Sequence, residues 1–176
     1  REIVMKRVLL IKEFIPKYDQ EFYQKIGNEK YEFFVTKEEK SSSDLNTKIK
    51  QKESFKTVNI KIVRLGSFVF MPGIQKVINN INPDLIIFPS NPRHILNIPL
   101  IIINKILYKR RINTWSMYHR IGGDKFFSSL LHYFNGALSI RNMSYSNIGL
   151  QKQLERRIPK KKIDVIGTAI DEKKIF

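Results

Sequence analysis

Short runs of Val, Ile, Leu and Phe alternate along the chain with longer stretches whose apolar residues recur at helical spacing. The short runs cover 5–11, 31–36, 59–65, 84–88, 112–117, 137–141 and 163–166. Most are continuous rather than alternating in polarity, as strands covered on both faces are. Helical spacing falls at 18–26, 73–80, 91–110, 124–136 and from Ser144 or Ser146 to 157. This order predicts repeated βα units: a Rossmann-like, doubly wound α/β fold, with a mostly parallel sheet of about seven strands and helices on both faces.

Punctuation residues support these boundaries. Gly27 and Gly66 end elements, Asn91 with Pro92 supplies an N-cap and first-turn proline, Asp124 caps the next helix, and Pro159 stops the last one. Segment 37–56 carries a serine triplet and many charges, with Leu45, Ile49 and Phe55 as scattered apolar positions. It reads as a flexible excursion outside the core, within one domain spanning 1–176.

Composition narrows the chemistry. The chain has 42% hydrophobic residues and no cysteine, which gives it a foldable core and excludes disulfides, thiolate metal sites and a cysteine nucleophile. Its formal charge of +16 attracts polyanions, whether anionic lipid, nucleic acid or phosphorylated substrates. The first residues lack the long apolar run of a signal peptide. The stretch 95–107 is broken by Asn97, Pro99, Asn104 and Lys105 and falls short of the ~20 residues that span a bilayer. A cytoplasmic protein follows, with a peripheral position on the cytoplasmic face of the membrane as an option.

In a doubly wound sheet, ligands bind beyond the carboxyl ends of the strands. The loops there offer Glu13, Lys17 and Tyr18; Ser90 and Asn91; His119, Arg120, Gly122 and Gly123; and Asn142 and Ser144. Within WSMYHRIGGD, a neutral imidazole at His119 can accept a hydroxyl proton, and the two glycines let backbone amides approach an oxyanion. His94 and His132 read as ordinary helix residues. Two basic groups are candidates for membrane or anion contact: Lys105, Lys109, Arg110 and Arg111, and Arg156, Arg157, Lys160, Lys161 and Lys162. The aromatic loop 68–71 is a candidate for insertion beside them. No dinucleotide or P-loop glycine motif, no D-x-D and no cluster of metal-ligand spacing is present, so no metal and no cofactor are expected.

Three stretches resemble the N-terminal lobe of the retaining GT-B glycosyltransferases of group 1, or family 4. KRVLLIKEFIPKYDQEFYQKI (6–26) resembles that family's opening strand, proline-tyrosine loop and helix; PDLIIF (83–88) resembles a characteristic strand; 144–176, a serine-led helix followed by PKKKIDVIGTAIDEKKIF, resembles the end of the first lobe. The chain departs from the pattern at Thr168, Ala169, Asn135 and Gly136, and lacks the glycine-rich loop after the first strand. The resemblance implies an acceptor-binding lobe for a glycan or lipid-linked acceptor. It places the nucleotide-sugar donor on a C-terminal lobe, in cis or on a separate chain, and gives His119 a place at the donor sugar or the reacting hydroxyl. Such a fragment alone is expected to be inactive. The alternative is a non-enzymatic basic α/β module that docks on anionic membrane or nucleic acid, the latter without the stacking motifs of single-strand binders.

Overall fold

The computed structural model describes residues 6–16, 23, 31–39, 55–117 and 125–166. The chain divides into two compact units, residues 1–62, 71–84 and 169–176 in the first and 63–70 with 85–168 in the second.

The first unit holds β1 (Lys6–Leu10), β2 (Tyr31–Glu38), β3 (Lys56–Ile60) and α1 (Ile74–Ile81). β1 pairs with β2 and β2 with β3, both parallel. Val8, Leu9 and Leu10 are all buried, so β1 is covered on both faces. Tyr23, fully buried, places its ring 5.8 Å from Phe33 and 5.7 Å from Phe55. Those aromatic contacts continue the core beyond the strands. α1 buries Ile74 and Ile78, one helical turn apart on one face. Its left-handed cap Asn82 donates its N–H to the Ile78 carbonyl. Arg7 ties this helix end to β1 through the Ile81 carbonyl and Asp84.

An ion ladder crosses the three strands. Glu32 on β2 accepts from Arg7 Nε on β1 at 3.0 Å and from Lys56 Nζ on β3 at 2.5 Å. The Lys56 hydrogen bond holds the Glu32 carboxyl below the ordinary glutamate range; partial burial opposes this, and Arg7 reinforces it. A depressed carboxyl contributes stability above its unfolded-state value, and that contribution is lost as pH falls through its folded value. Both cations are largely exposed and screened, so Glu32→Gln is expected to lower stability by only about 0.5 kcal/mol at neutral pH. The difference should shrink as pH falls through the depressed folded value, as paired urea titrations at neutral and acid pH would show.

The second unit opens with the hairpin β4 (Val63–Leu65) and β5 (Phe68–Phe70), turned at Gly66 with φ of 56°. It continues with β6 (Leu85–Pro89), α2 (Asn97–Ile106), β7 (Arg111–Ser116), α3 (Phe126–Leu138), β8 (Arg141–Ser144), α4 (Asn147–Glu155), a 3-10 turn (Lys160–Lys162) and β9 (Ile163–Val165). β6, β7, β8 and β9 pair in that order, all parallel, with Ile87 opposite Asn113, Thr114 opposite Asn142, and Ser144 opposite Val165. The chain is a Rossmann-like α/β fold with seven parallel strands, three in the first unit and four in the second.

Several expected boundaries move. The third strand lies at Lys56–Ile60 rather than 59–65, because 63–65 folds into the hairpin with 68–70. At the flanks of the excursion expected at 37–56, β2 runs to Glu38, and Phe55 is buried against Tyr23 instead of lying outside the core. The loop expected at 68–71 holds the strand Phe68–Phe70, with Val69 and the following Met71 buried. α2 starts at Asn97 rather than near 91, because the buried Asn97 amide donates to the Pro89 carbonyl while Asn91 closes a turn onto the Arg93 and His94 amides. The sixth strand lies at Arg141–Ser144, not 137–141. α3 continues through Leu138, and the Ser139 hydroxyl folds back onto the Asn135 and Gly136 carbonyls. The expected helix at 18–26, apart from Tyr23, lies outside the described residues, as does the segment 40–54.

Candidate functional site

Parallel pairing brings the carboxyl ends of β6, β7 and β8 to one edge of the second unit. Ser90 follows β6 directly, donates its amide to the Trp115 carbonyl and is fully buried. Its Oγ lies 3.4 Å from His132 Nδ1, at the long end of hydrogen bonding. Asn91 is partly exposed and uses Oδ1 to accept the Arg93 amide at 3.1 Å. Ser144 ends β8, buried, and donates to the Ser146 carbonyl at 3.0 Å. Ser146 is the N-cap of α4 and accepts the Gly149 amide at 3.2 Å. Among the described residues this edge therefore carries small neutral hydroxyl and amide groups, with Asn91 and Ser146 partly exposed and Ser90 and Ser144 buried behind them.

Asn142, expected in a loop of this rim, is the second residue of β8 and is wholly buried. Its Oδ1 accepts from Thr114 Oγ1 at 2.7 Å and from Ser139 Oγ, while its Nδ2 donates to the Gly136 carbonyl at 3.2 Å. Those bonds pin β8 to β7 and to the end of α3. Glu13 belongs to the first unit, where its carbonyl accepts the Glu38 amide. His119, Arg120, Gly122, Gly123, Lys17 and Tyr18 lie outside the described residues.

The residue missed at sequence level is His132. It lies on the face of α3 that also buries Leu131, Asn135 and Gly136, and that face carries the imidazole to Ser90. The spacing 131, 132, 135, 136 marks one helical face but not what that face meets.

No family model matches this chain, and no curated protein matches it in sequence. Solved structures do match in shape. A putative UDP-N-acetylglucosamine 2-epimerase from Listeria monocytogenes superposes with a TM-score of 0.62 at 15% identity, over 97% of this chain and 47% of that one. The UDP-GlcNAc 2-epimerase of Methanocaldococcus jannaschii, in complex with UDP-GlcNAc and UDP, gives 0.58 at 16% identity, over 93% and 47%. Anabaena HepE in complex with UDP gives 0.62 at 12% identity, over 93% and 44%. The fold is that of one GT-B lobe. The chain spans slightly less than half the length of these structures, and identities this low carry the fold alone.

Two of the basic groups expected to contact anions lie at the opposite edge from Ser90. Lys105 through Arg111 precede β7 and Lys160 through Lys162 precede β9, which puts both groups at the amino ends of the parallel strands. Part of this charge caps a helix. Lys105 Nζ donates to the Leu138 carbonyl at 2.6 Å, and Lys162 Nζ donates to the Ala137 and Ser139 carbonyls at 2.9 and 3.1 Å, closing the negative end of α3. Burial, with Lys105 and Lys161 nearby, lowers the Lys162 ammonium below the ordinary lysine range. Arg110 bonds Asn104 and covers the Tyr108 ring, and Arg156 reaches Ser129. Arg157 adopts a left-handed backbone at φ of 60°, just past α4. Lys109, Arg111, Lys160 and Lys161 are exposed. Among the described residues, no group of three or more His, Asp or Glu could hold a metal ion, and no helix is long and apolar enough to cross a membrane.

Proposed function

We infer that the chain is the acceptor-side lobe of a retaining, metal-independent glycosyltransferase that moves a sugar from a nucleotide-sugar donor to a glycan or lipid-linked acceptor. The observation that carries this reading is the neutral carboxyl edge of the second unit. Between residues 85 and 154 the sequence holds one acidic residue, Asp124, and the groups at this edge are Ser90, Asn91, Ser144 and Ser146. Hydroxyls and amides of this kind suit the neutral hydroxyl array of a sugar. The GT-B fold and its UDP-bound neighbours support a donor held by a second lobe, in cis or on a separate chain.

In this mechanism the acceptor hydroxyl forms the new bond to the anomeric carbon as the bond to the nucleotide oxygen breaks, and the electron pair leaves with the diphosphate. His119 accepts the hydroxyl proton or contacts the donor sugar. Charge on the leaving diphosphate is stabilised by groups on the donor lobe. The neighbours' own reaction is the rival, since an epimerase inverts a carbon of the UDP-sugar and needs no acceptor.

The two readings separate in one assay on this lobe joined to its donor lobe. UDP release from a UDP-sugar that depends on added glycan or lipid-linked acceptor supports transfer, and His119→Ala should then lower kcat at least about tenfold. Acceptor-independent appearance of a sugar epimer with no UDP release overturns transfer.

A further inference from the structure

We propose that the second unit docks on an anionic lipid bilayer through the outward face of α3. The helix is inverted relative to ordinary amphipathic packing. Phe126, Phe127, Leu130, Tyr133 and Phe134 recur at helical spacing over an arc of about 120°, and all five are exposed, Phe126 at 85% and Phe127 at 57%. The buried face opposite is Leu131, His132, Asn135 and Gly136. A helix that keeps two polar residues inside and turns four aromatics outward has an apolar face awaiting a nonaqueous partner. Side by side with α3, tied to it by Lys105 on the Leu138 carbonyl, α2 exposes Ile102 and Ile106 as well.

Charge selects the partner. The second unit contains fifteen Lys and Arg against three Asp and Glu, so +12 of the chain's +16 lies there. α3 itself carries no charged residue; the exposed Lys125 precedes its first turn, and Lys160 and Lys161 sit beside its last one. A second copy of this unit would bring +12 against +12. Nucleic acid would satisfy the lysines but leave the phenylalanines without a partner. An anionic bilayer satisfies both: the rings enter the interface and the flanking lysines reach the head groups. Because the patch lies wholly within one unit and uses none of Ser90, Asn91, Ser144 and Ser146, this docking stands whichever reaction the lobe serves.

The test is co-sedimentation of the whole chain with vesicles of equimolar phosphatidylglycerol and phosphatidylcholine, and with phosphatidylcholine alone, at physiological salt. Binding to the anionic vesicles only is expected, weakened about tenfold or more in F126S/F127S/F134S. Unchanged binding by that variant would overturn the proposal, leaving charge alone as the cause. So would a lipid-free dimer in sedimentation velocity that the variant abolishes, without vesicle binding by the parent chain. A Leu130→Trp reporter needs no loss of apolar surface: its emission should be quenched by brominated lipid, whereas the native Trp115 is buried. Unquenched emission from vesicle-bound protein would overturn α3 as the inserting face.

Discussion

Gly149→Ala is expected to destabilise the second unit by about 3 kcal/mol or more, near the upper end of overpacking effects. A Cβ at this position of α4 would collide with Ser144 Oγ and with the Met117 carbonyl oxygen. The serine hydroxyl could in principle rotate away, giving up its bond to the Ser146 carbonyl. The Met117 oxygen is main chain, one residue past β7, and moving it shifts the backbone there rather than a side chain. Relief therefore requires α4 to lift from the sheet, taking its N-cap and the buried Gln153 with it. Gly66→Ala and Gly73→Ala serve as controls: each glycine has a left-handed backbone but open space around it, and the expected loss is about 1 kcal/mol. Thermal or urea melts of the three variants should rank in that order. The double variant S144G/G149A discriminates further, because it removes the hydroxyl clash and leaves the carbonyl clash. Recovery of full stability in the double variant would show that the helix is not held against Met117.

The strand and helix order was legible because apolar runs and helical spacing are properties of local sequence, and DLIIF at 84–88 fell within a residue of β6. Three features were not legible, each for a physical reason. Residues 137–141 read as a strand, but Ser139 bonds backward to the carbonyls of α3, and only the folded chain shows that choice. Phe55 sat in a polar, charged context, yet Tyr23 and Phe33 supply it with a core from elements distant in sequence. The periodicity of α3 gave an apolar face correctly but could not give its direction, since spacing reports a face and burial depends on what lies across from it. At the site, Ser90 and Ser144 were legible from the rule of strand ends. His132 was not, because a histidine within an apolar helix carries no local mark of the serine it meets.

Asn142→Ala is expected to lower stability by about 2–4 kcal/mol, since it deletes three buried hydrogen bonds and leaves a small cavity. The loss does not fall evenly on the partners. Ser139 keeps the Asn135 and Gly136 carbonyls, whereas Thr114 loses its short bond to the amide and keeps a longer approach to Ser139 at 3.2 Å. Asn142→Asp tests the assignment of donor and acceptor while preserving shape. A carboxylate can still accept from Thr114 and Ser139, but where the amide donated to the Gly136 carbonyl it would set oxygen against oxygen in a dry site. A buried carboxyl in that position is held protonated, so the folded chain keeps a proton that the unfolded chain releases as pH rises. The stability of this variant should therefore be greatest in mild acid and fall towards neutral pH, a dependence that Asn142→Ala lacks. Equal pH profiles for the two variants would mean that the Asn142 amide nitrogen does not donate to Gly136, and that β8 is held to α3 by packing alone.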